Sequence, residues 1–157
     1  MTYKTHGLTG IVLSLLYMLL VGLNDPLPLI VAWFAALIPD LDHPKSWLSR
    51  RVPILPKLIS SLCKHRGFTH SLLGLFLFTL IFFLITRNYL SIDYTIYFAI
   101  GYFSHLLADS LTVSGVNFFY PDKTKYGLRL IKTNSTAELL FSLVLIISIV
   151  IIAPMIW

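Results

Sequence analysis

His105 and Asp109 stand four residues apart in the stretch FSHLLADS. On a helix that spacing puts both on one face, one turn apart. The segment PDLDHP at 39–44 offers Asp40, Asp42 and His43 from a proline-bounded turn, and HRGFTH at 65–70 places His65 and His70 on either side of a glycine. Neutral imidazole and carboxylate together are typical ligands of zinc, and also serve manganese and iron. Adding His6 near the start and Glu138 near the end, the candidate metal ligands are His6, Asp40, Asp42, His43, His65, His70, His105, Asp109 and Glu138. One tetrahedral ion needs fewer. Two divalent ions about 3.5–4 Å apart, sharing a carboxylate, would use the set economically. Zinc is the leading expectation, with manganese or iron as alternatives.

Each residue also has a plainer reading. A single histidine near a membrane surface is commonly a hydrogen-bonding side chain. Asp42 can cap the segment after it, and Glu138 can favour the positive end of a helix start. The plain readings leave one pattern unexplained, and it emerges from the elements that carry these residues.

Of the 157 residues, 57% are hydrophobic and 12% charged, where soluble domains carry roughly 25% charged residues. So little charge cannot cover a water-soluble globule. The length allows a single domain, residues 1–157. The one cysteine, Cys63, excludes an internal disulfide and a cysteine metal cluster. The first apolar stretch lacks a clear small-x-small cleavage site and runs into Asp25-Pro26 and more apolar sequence, so it is not expected to be a cleaved signal peptide.

Charge-free runs extend over Thr5–Asn24, Pro26–Pro39, Gly67–Thr86, Tyr94–Ala108 and Leu139–Trp157. A spanning helix needs about 20 residues. The first, third and fifth runs meet this unaided; the second and fourth do so only if Asp40 and Asp109 sit at or beneath the membrane surface. A carboxylate there requires a cation, a metal or a wet pocket. The expected fold is all-α, a polytopic membrane protein of about five transmembrane helices with interfacial segments. Small residues (Gly7, Gly10, Gly74, Gly101, Ser104, Ala108) would permit close helix packing near the site.

Eleven of the twelve Lys and Arg residues fall on one side of such a bundle, Arg87 alone on the other. The positive-inside rule then puts the N-terminus in the cytoplasm and the C-terminus outside, in a multi-pass protein of the inner (cytoplasmic) membrane. The same topology explains the net charge of +5 without nucleic acid. The connection Ser46–Cys63, interrupted by Pro53 and Pro56, reads as short interfacial turns, and Val116–Thr133 interleaves Phe118, Phe119, Tyr120 and Tyr126 with basic residues, again suited to an interface. All five histidines and five of the seven acids lie on the basic side, each helix contributing at the same end; the opposite side has only Asp25 and Asp93. That shared depth is the mark of a site.

Four blocks carry a resemblance: Thr5-His6, PDLDHP at 39–44, HRGFTHSLL at 65–73 and GYFSHLLADSLTVSG at 101–115. Over nearly the whole chain the sequence resembles the bacterial and archaeal family of inner-membrane, metal-dependent hydrolases of the YdjM-like type, some members of which are under DNA-damage control. The resemblance implies a hydrolase and marks His6, Asp40, Asp42, His43, His65, His70, His105 and Asp109; Glu138 rests on its placement. It leaves the substrate open. Bound ions would make hydroxide from water near neutral pH. Asp42 or Glu138 would serve as base, and Arg66 or Arg129 would offset charge developing on a phosphoryl group. A site at headgroup depth suits a phosphate ester of a membrane lipid or a lipid-linked substrate. The competing classes are a non-enzymatic metal-binding or metal-transport protein, and metals that only staple the helix ends.

Overall fold

A computed structural model of the protein describes residues 1–43, 46–51 and 67–157. Five α-helices account for most of them: α1 (Tyr3–Val21), α2 (Leu27–Ala35), α3 (Leu72–Thr86), α4 (Ile92–Ser110) and α5 (Thr136–Ile152). Local chemistry sets their ends. Thr2, Ser71 and Ser135 cap α1, α3 and α5 by accepting from backbone N–H groups of the first turn. Gly22 closes α1 in the left-handed conformation, φ 70°. The short α2 gives way to a 3₁₀ turn, Pro39–Asp42, and a second such turn, Phe68–His70, leads into α3. No named strand occurs among the described residues. The loop between α4 and α5 is pinned instead by two isolated bridges, Thr112 with Ile131 and Val116 with Tyr126.

The helix α4 is central, packing against α1, α2 and α3, while α5 lies on α1. Its buried face supplies Tyr97, Phe98, Tyr102 and Leu106 to two apolar clusters, one with Ala35 and Val116, the other with Leu15, Met18 and Ala32. The usual arrangement of polarity is inverted. Thr5, His6, Ser14, Ser104, His105 and Asp109 are buried, whereas Leu80, Ile81, Leu84, Leu139, Leu140, Val144 and Ile147 are exposed. Apolar side chains facing outward along α3 and α5 require an apolar surround. Two stretches, Tyr3–Val21 and Thr136–Met155, are long and apolar enough to cross a bilayer; α3 is equally apolar over 15 residues, α2 has nine residues, and α4 mixes aromatic with polar groups.

The small residues do allow close approach. A Cβ on Gly101 would collide with the Ala32 carbonyl oxygen, so α4 and α2 touch backbone to backbone. On Gly74 it would collide with the Phe68 oxygen, in the turn that carries His70. Trp33 fills the space over Gly7, and Ala32 and Ala36 crowd Gly10. Of the interfacial segments expected from the sequence, residues 46–51 form a turn, and 52–63 lie outside the described residues. The aromatic loop has Phe119, Tyr120 and Tyr126 exposed, as an interfacial location requires.

Gly101→Ala is expected to force α2 and α4 apart, at a cost of about 1–3 kcal/mol typical of overpacking. The check is the thermal unfolding midpoint in detergent, which should fall clearly below that of Ala99→Gly, a control on the same helix.

Candidate metal centre

The centre is assembled from helix ends. His105 and Asp109 project from the buried face of α4, both at 1% exposure or less. The His105 Nδ1 lies 2.7 Å from the Ala36 carbonyl oxygen just beyond α2. A carbonyl only accepts, so Nδ1 carries the hydrogen and Nε2 presents a lone pair. The turn Pro39–Asp42 brings in Asp40 and Asp42. The turn Phe68–His70 brings in His70, and Tyr102 Oη of α4 donates to the Thr69 carbonyl at 2.6 Å, tying that turn to the central helix. Thr69 Oγ1 donates to Asp42 Oδ2 at 2.7 Å and lies 3.1 Å from His70 Nδ1, which is itself 3.5 Å from Asp42 Oδ2. Asp42 and Thr69 therefore orient the His70 ring from its Nδ1 side. Its Nε2 faces the His105 Nε2 at 3.2 Å.

Around those two nitrogens stand two carboxylates. His70 Nε2 is 3.7 Å from Asp40 Oδ1 and 3.8 Å from Asp109 Oδ2. His105 Nε2 is 4.0 and 3.9 Å from the same two atoms. Atoms holding one ion in a tetrahedron at about 2.1 Å stand about 3.4 Å apart. The 3.2 to 4.0 Å separations within the Asp40, His70 and His105 group match that closely enough for small side-chain adjustments to close it on an ion, with Asp109 Oδ2 at similar distances from both imidazoles. The donor chemistry, two imidazoles and two carboxylates, also suits zinc, manganese or iron.

His6 adds a second, overlapping group with His105 and Asp109. Its ring stacks on His105, centroids 3.7 Å apart and planes 13° apart. Among the described residues neither ring nitrogen makes a hydrogen bond of good geometry, although the residue is 1% exposed and an Asp109 oxygen is near. An orphaned buried imidazole of this kind marks a place for a missing partner. The His6 Nε2 lies 3.4 Å from Asp109 Oδ1, the oxygen not turned toward His70 and His105, and the amino group of Met1 reaches that oxygen at 2.9 Å. Asp109 thus has one oxygen toward each group.

The electrostatics of the two turns reflect this crowding. Burial opposes the charged form of Asp40, but the nearby imidazoles of His70, His105 and His6 hold the carboxyl well below the usual range. Burial likewise opposes charge on His70, yet the adjacent carboxylates of Asp40 and Asp42 push it up to about 9. A proton on His70 and a cation at its Nε2 would offset the same negative charge, and they are alternatives.

Of the residues singled out from sequence, His6, Asp40, His70, His105 and Asp109 come together, with Asp42 directly behind His70. His43 is on the wall of an adjacent cavity and in neither ligand group. Glu138 is not brought to the centre. Its oxygens accept from the Thr2 N–H (2.6 Å), Thr5 Oγ1 (2.8 Å) and the Asn134 N–H (2.7 Å), so it fastens the start of α1 to the start of α5. Arg129 is exposed on the loop before α5, with φ 56°, and meets neither group. His65 and Arg66 lie outside the described residues. Thr69 and Tyr102, which orient the candidate ligands, are residues that sequence reasoning misses. Thr69 stands inside the HRGFTH block, but its hydroxyl's target, Asp42, is 27 residues away. Tyr102 carries no signal beyond its place one turn before His105.

The family model described as "YdjM inner membrane protein" matches residues 1–157. The chain belongs to that family. It is 39% identical over 140 residues to "Uncharacterized protein YvsG" of Bacillus subtilis (strain 168), an alignment covering 88% of this chain and 85% of the relative. It is also 39% identical over 99 residues to "Inner membrane protein YdjM" of Escherichia coli (strain K12) and of Shigella flexneri, covering 62% of this chain and 50% of each relative. No solved structure matches. Membership of the YdjM family agrees with the outward-facing apolar helices and supports membrane association.

Two substitutions separate holding the ion from holding the helices. Thr69→Val is expected to weaken zinc binding by roughly 10–100-fold, the usual effect of losing an outer partner of a ligating histidine, and to cost the apo protein about 1–3 kcal/mol because a buried Asp42 oxygen loses its donor. Glu138→Gln is expected to retain metal while losing about 1–3 kcal/mol of stability through its buried hydrogen bonds. Zinc titration with a competing chelator, alongside melting of the metal-free protein, reads both.

Proposed function

We propose that this YdjM-family protein is a membrane-embedded, metal-dependent hydrolase that cleaves a phosphate ester of a lipid or lipid-linked substrate at the cytoplasmic end of the bundle. The observation that carries the reading is the convergence of Asp40, His70 and His105, from three separate elements, into one group with ligand-like spacing, with Asp109 Oδ2 standing 3.8 and 3.9 Å from its two imidazoles. A divalent ion held there supplies Lewis acidity, acidifying water and withdrawing charge from an ester oxygen.

The chain's own groups divide the remaining work. His105, with Nδ1 committed to Ala36, and His70, turned by Thr69 and Asp42, keep their Nε2 atoms aimed at one point. Asp40 is the most exposed of the four, its side chain at 23%, and also faces an open cavity. Its Oδ1 faces the two imidazoles, which leaves Oδ2 toward the cavity as the position to accept a hydrogen bond from, and so orient, an attacking water. Asp42 and Glu138 are less suited to the role of base expected of them, since their oxygens are occupied in holding Thr69 and the two helix starts. The ligand set favours one tightly held ion at the Asp40, His70 and His105 group, because His105 has a single nitrogen to give. A weaker second ion, reached by His6 and the other oxygen of Asp109, would satisfy the orphaned ring. Both groups lie at the same end of the bundle, which favours a fixed centre over a path across the membrane.

The proposed topology is five crossings with the N-terminus cytoplasmic. The site residues come from the start of α1, the end of α2, the start of α3 and the end of α4, as chain direction reverses at each crossing. Cysteine-accessibility labelling at residues 2 and 157, in a chain lacking Cys63, should place them on opposite sides; labelling from the same side would overturn this arrangement.

Purified protein in detergent, given a panel of phospholipids and lipid phosphates, is expected to turn over at least one in a chelator-sensitive way. His105→Ala and Asp109→Ala should abolish that turnover while the protein still inserts. Elemental analysis should find the tight ion retained in His6→Ala and lost in His70→Ala. Flux of metal across proteoliposomes without turnover would replace hydrolysis with transport.

A further inference from the structure

Beside the metal centre is a cavity of about 890 Å³, within the range of ligand pockets. Among the described residues, Asp40 is the one it shares with the Asp40, His70 and His105 group, so the cavity is where that group meets the aqueous side. The charge on its wall is one-sided. Among the described residues, Lys4 from α1 and Arg50 and Arg51 from the turn after the Asp40 segment supply three cations against the single carboxylate of Asp40. Arg51 is held in place: its guanidinium lies 3.7 Å over the Trp47 ring, and its Nη1 donates to the Trp47 carbonyl at 3.1 Å. Tyr3 stacks on the Trp47 ring at 5.1 Å, and Trp33 meets it edge-on at 5.7 Å. This produces a rigid aromatic wall with a guanidinium on it, chemistry suited to a phosphate through the planar donor fork of arginine and the point charge of lysine.

A second cavity, of about 490 Å³, indicates which phosphate. It shares Thr2, Lys4 and Asn134 with the first and continues between α1 and α5, past Leu8, Leu139 and Ile146. Leu139 and Ile146 are on the exposed apolar face of α5, toward the surround that the outward-facing helices require. Basic above and apolar below, the two spaces together have the polarity of one lipid molecule standing in the membrane.

We infer that the Lys4–Arg50–Arg51 cavity seats the phosphate headgroup of an anionic membrane lipid, with an acyl chain in the groove between α1 and α5. The inference names the substrate class for the hydrolase reading. It rests on that reading only for the bond cleavage after binding, since none of these cations belongs to the metal group. A lipid held this way brings its phosphate to the side of Asp40.

The test is binding without metal. With chelator present, isothermal titration of the full-length protein in detergent would compare dioctanoyl phosphatidic acid, dioctanoyl phosphatidylcholine and inorganic phosphate. The phosphatidic acid is expected to bind about tenfold or more tighter than the other two. Lys4→Gln with Arg50→Gln should remove most of that advantage, and Ile146→Trp, which fills the groove from the exposed face, should weaken the lipid while leaving inorganic phosphate unchanged. Equal affinity for phosphatidic acid and phosphatidylcholine, or indifference to the loss of Lys4 and Arg50, would overturn the headgroup site. Inorganic phosphate binding as tightly as the lipid, with Ile146→Trp without effect, would overturn the lipid in favour of a soluble phosphate. Cation-dependent lipid binding in a protein that shows no metal-dependent turnover would uphold the site and overturn hydrolysis instead.

Discussion

A carboxylate cannot remain charged in an apolar surround unless the protein itself supplies what water would have supplied. Asp109, on the buried face of the central helix, sets that requirement. Its two oxygens collect the Met1 amino group and His6 on one side, and His70 and His105 on the other. Each of those partners sits at a helix end. Satisfying one buried charge therefore draws the starts of α1 and α3 and the end of α4 to a common point, and Asp40 joins them through its contacts with the same imidazoles.

The lipid-facing exterior explains why so much depends on that point. With apolar residues outside as well as inside, burial gives little preference for one helix arrangement over another. Close packing and polar contacts decide it. The backbone contact of Gly101 with Ala32 brings α2 close enough for the Ala36 carbonyl to fix the His105 tautomer. Tyr102, one turn earlier on the same helix, fixes the turn carrying His70. Glu138 does the same for α5, fastening its first turn to α1 through three hydrogen bonds. Metal chemistry and helix packing thus rest on neighbouring residues of α4, and changes meant to alter one will be felt in the other.

The aqueous end has a separate design. The loop before α5 is held by two bridges and exposes aromatic rings, while the turn at 46–51 gathers Trp47 with its two arginines beside the start of α1. In the sequence these cations mainly fix topology. Folded, the ones nearest the candidate metal group also line one cavity beside the start of α1.

Composition and spacing were enough to determine a helical membrane protein, the approximate position of its elements, and the imidazoles and carboxylates from which the candidate site is drawn. Those properties are local: apolar runs have lengths, prolines and glycines end helices, and residues four apart share a face. His105 with Asp109 is legible for that reason. Which members of the set meet was settled only by tertiary structure. Glu138 instead binds Thr2, Thr5 and Asn134, His43 lines the adjacent cavity, and Asp42 stands behind His70 because Thr69 turns a hydroxyl toward it. The sequence specifies depth along each helix. Rotation about the axis and the choice of neighbour depend on contacts between distant residues, such as Gly101 with Ala32 and Tyr102 with Thr69, and these exist only once the helices have packed.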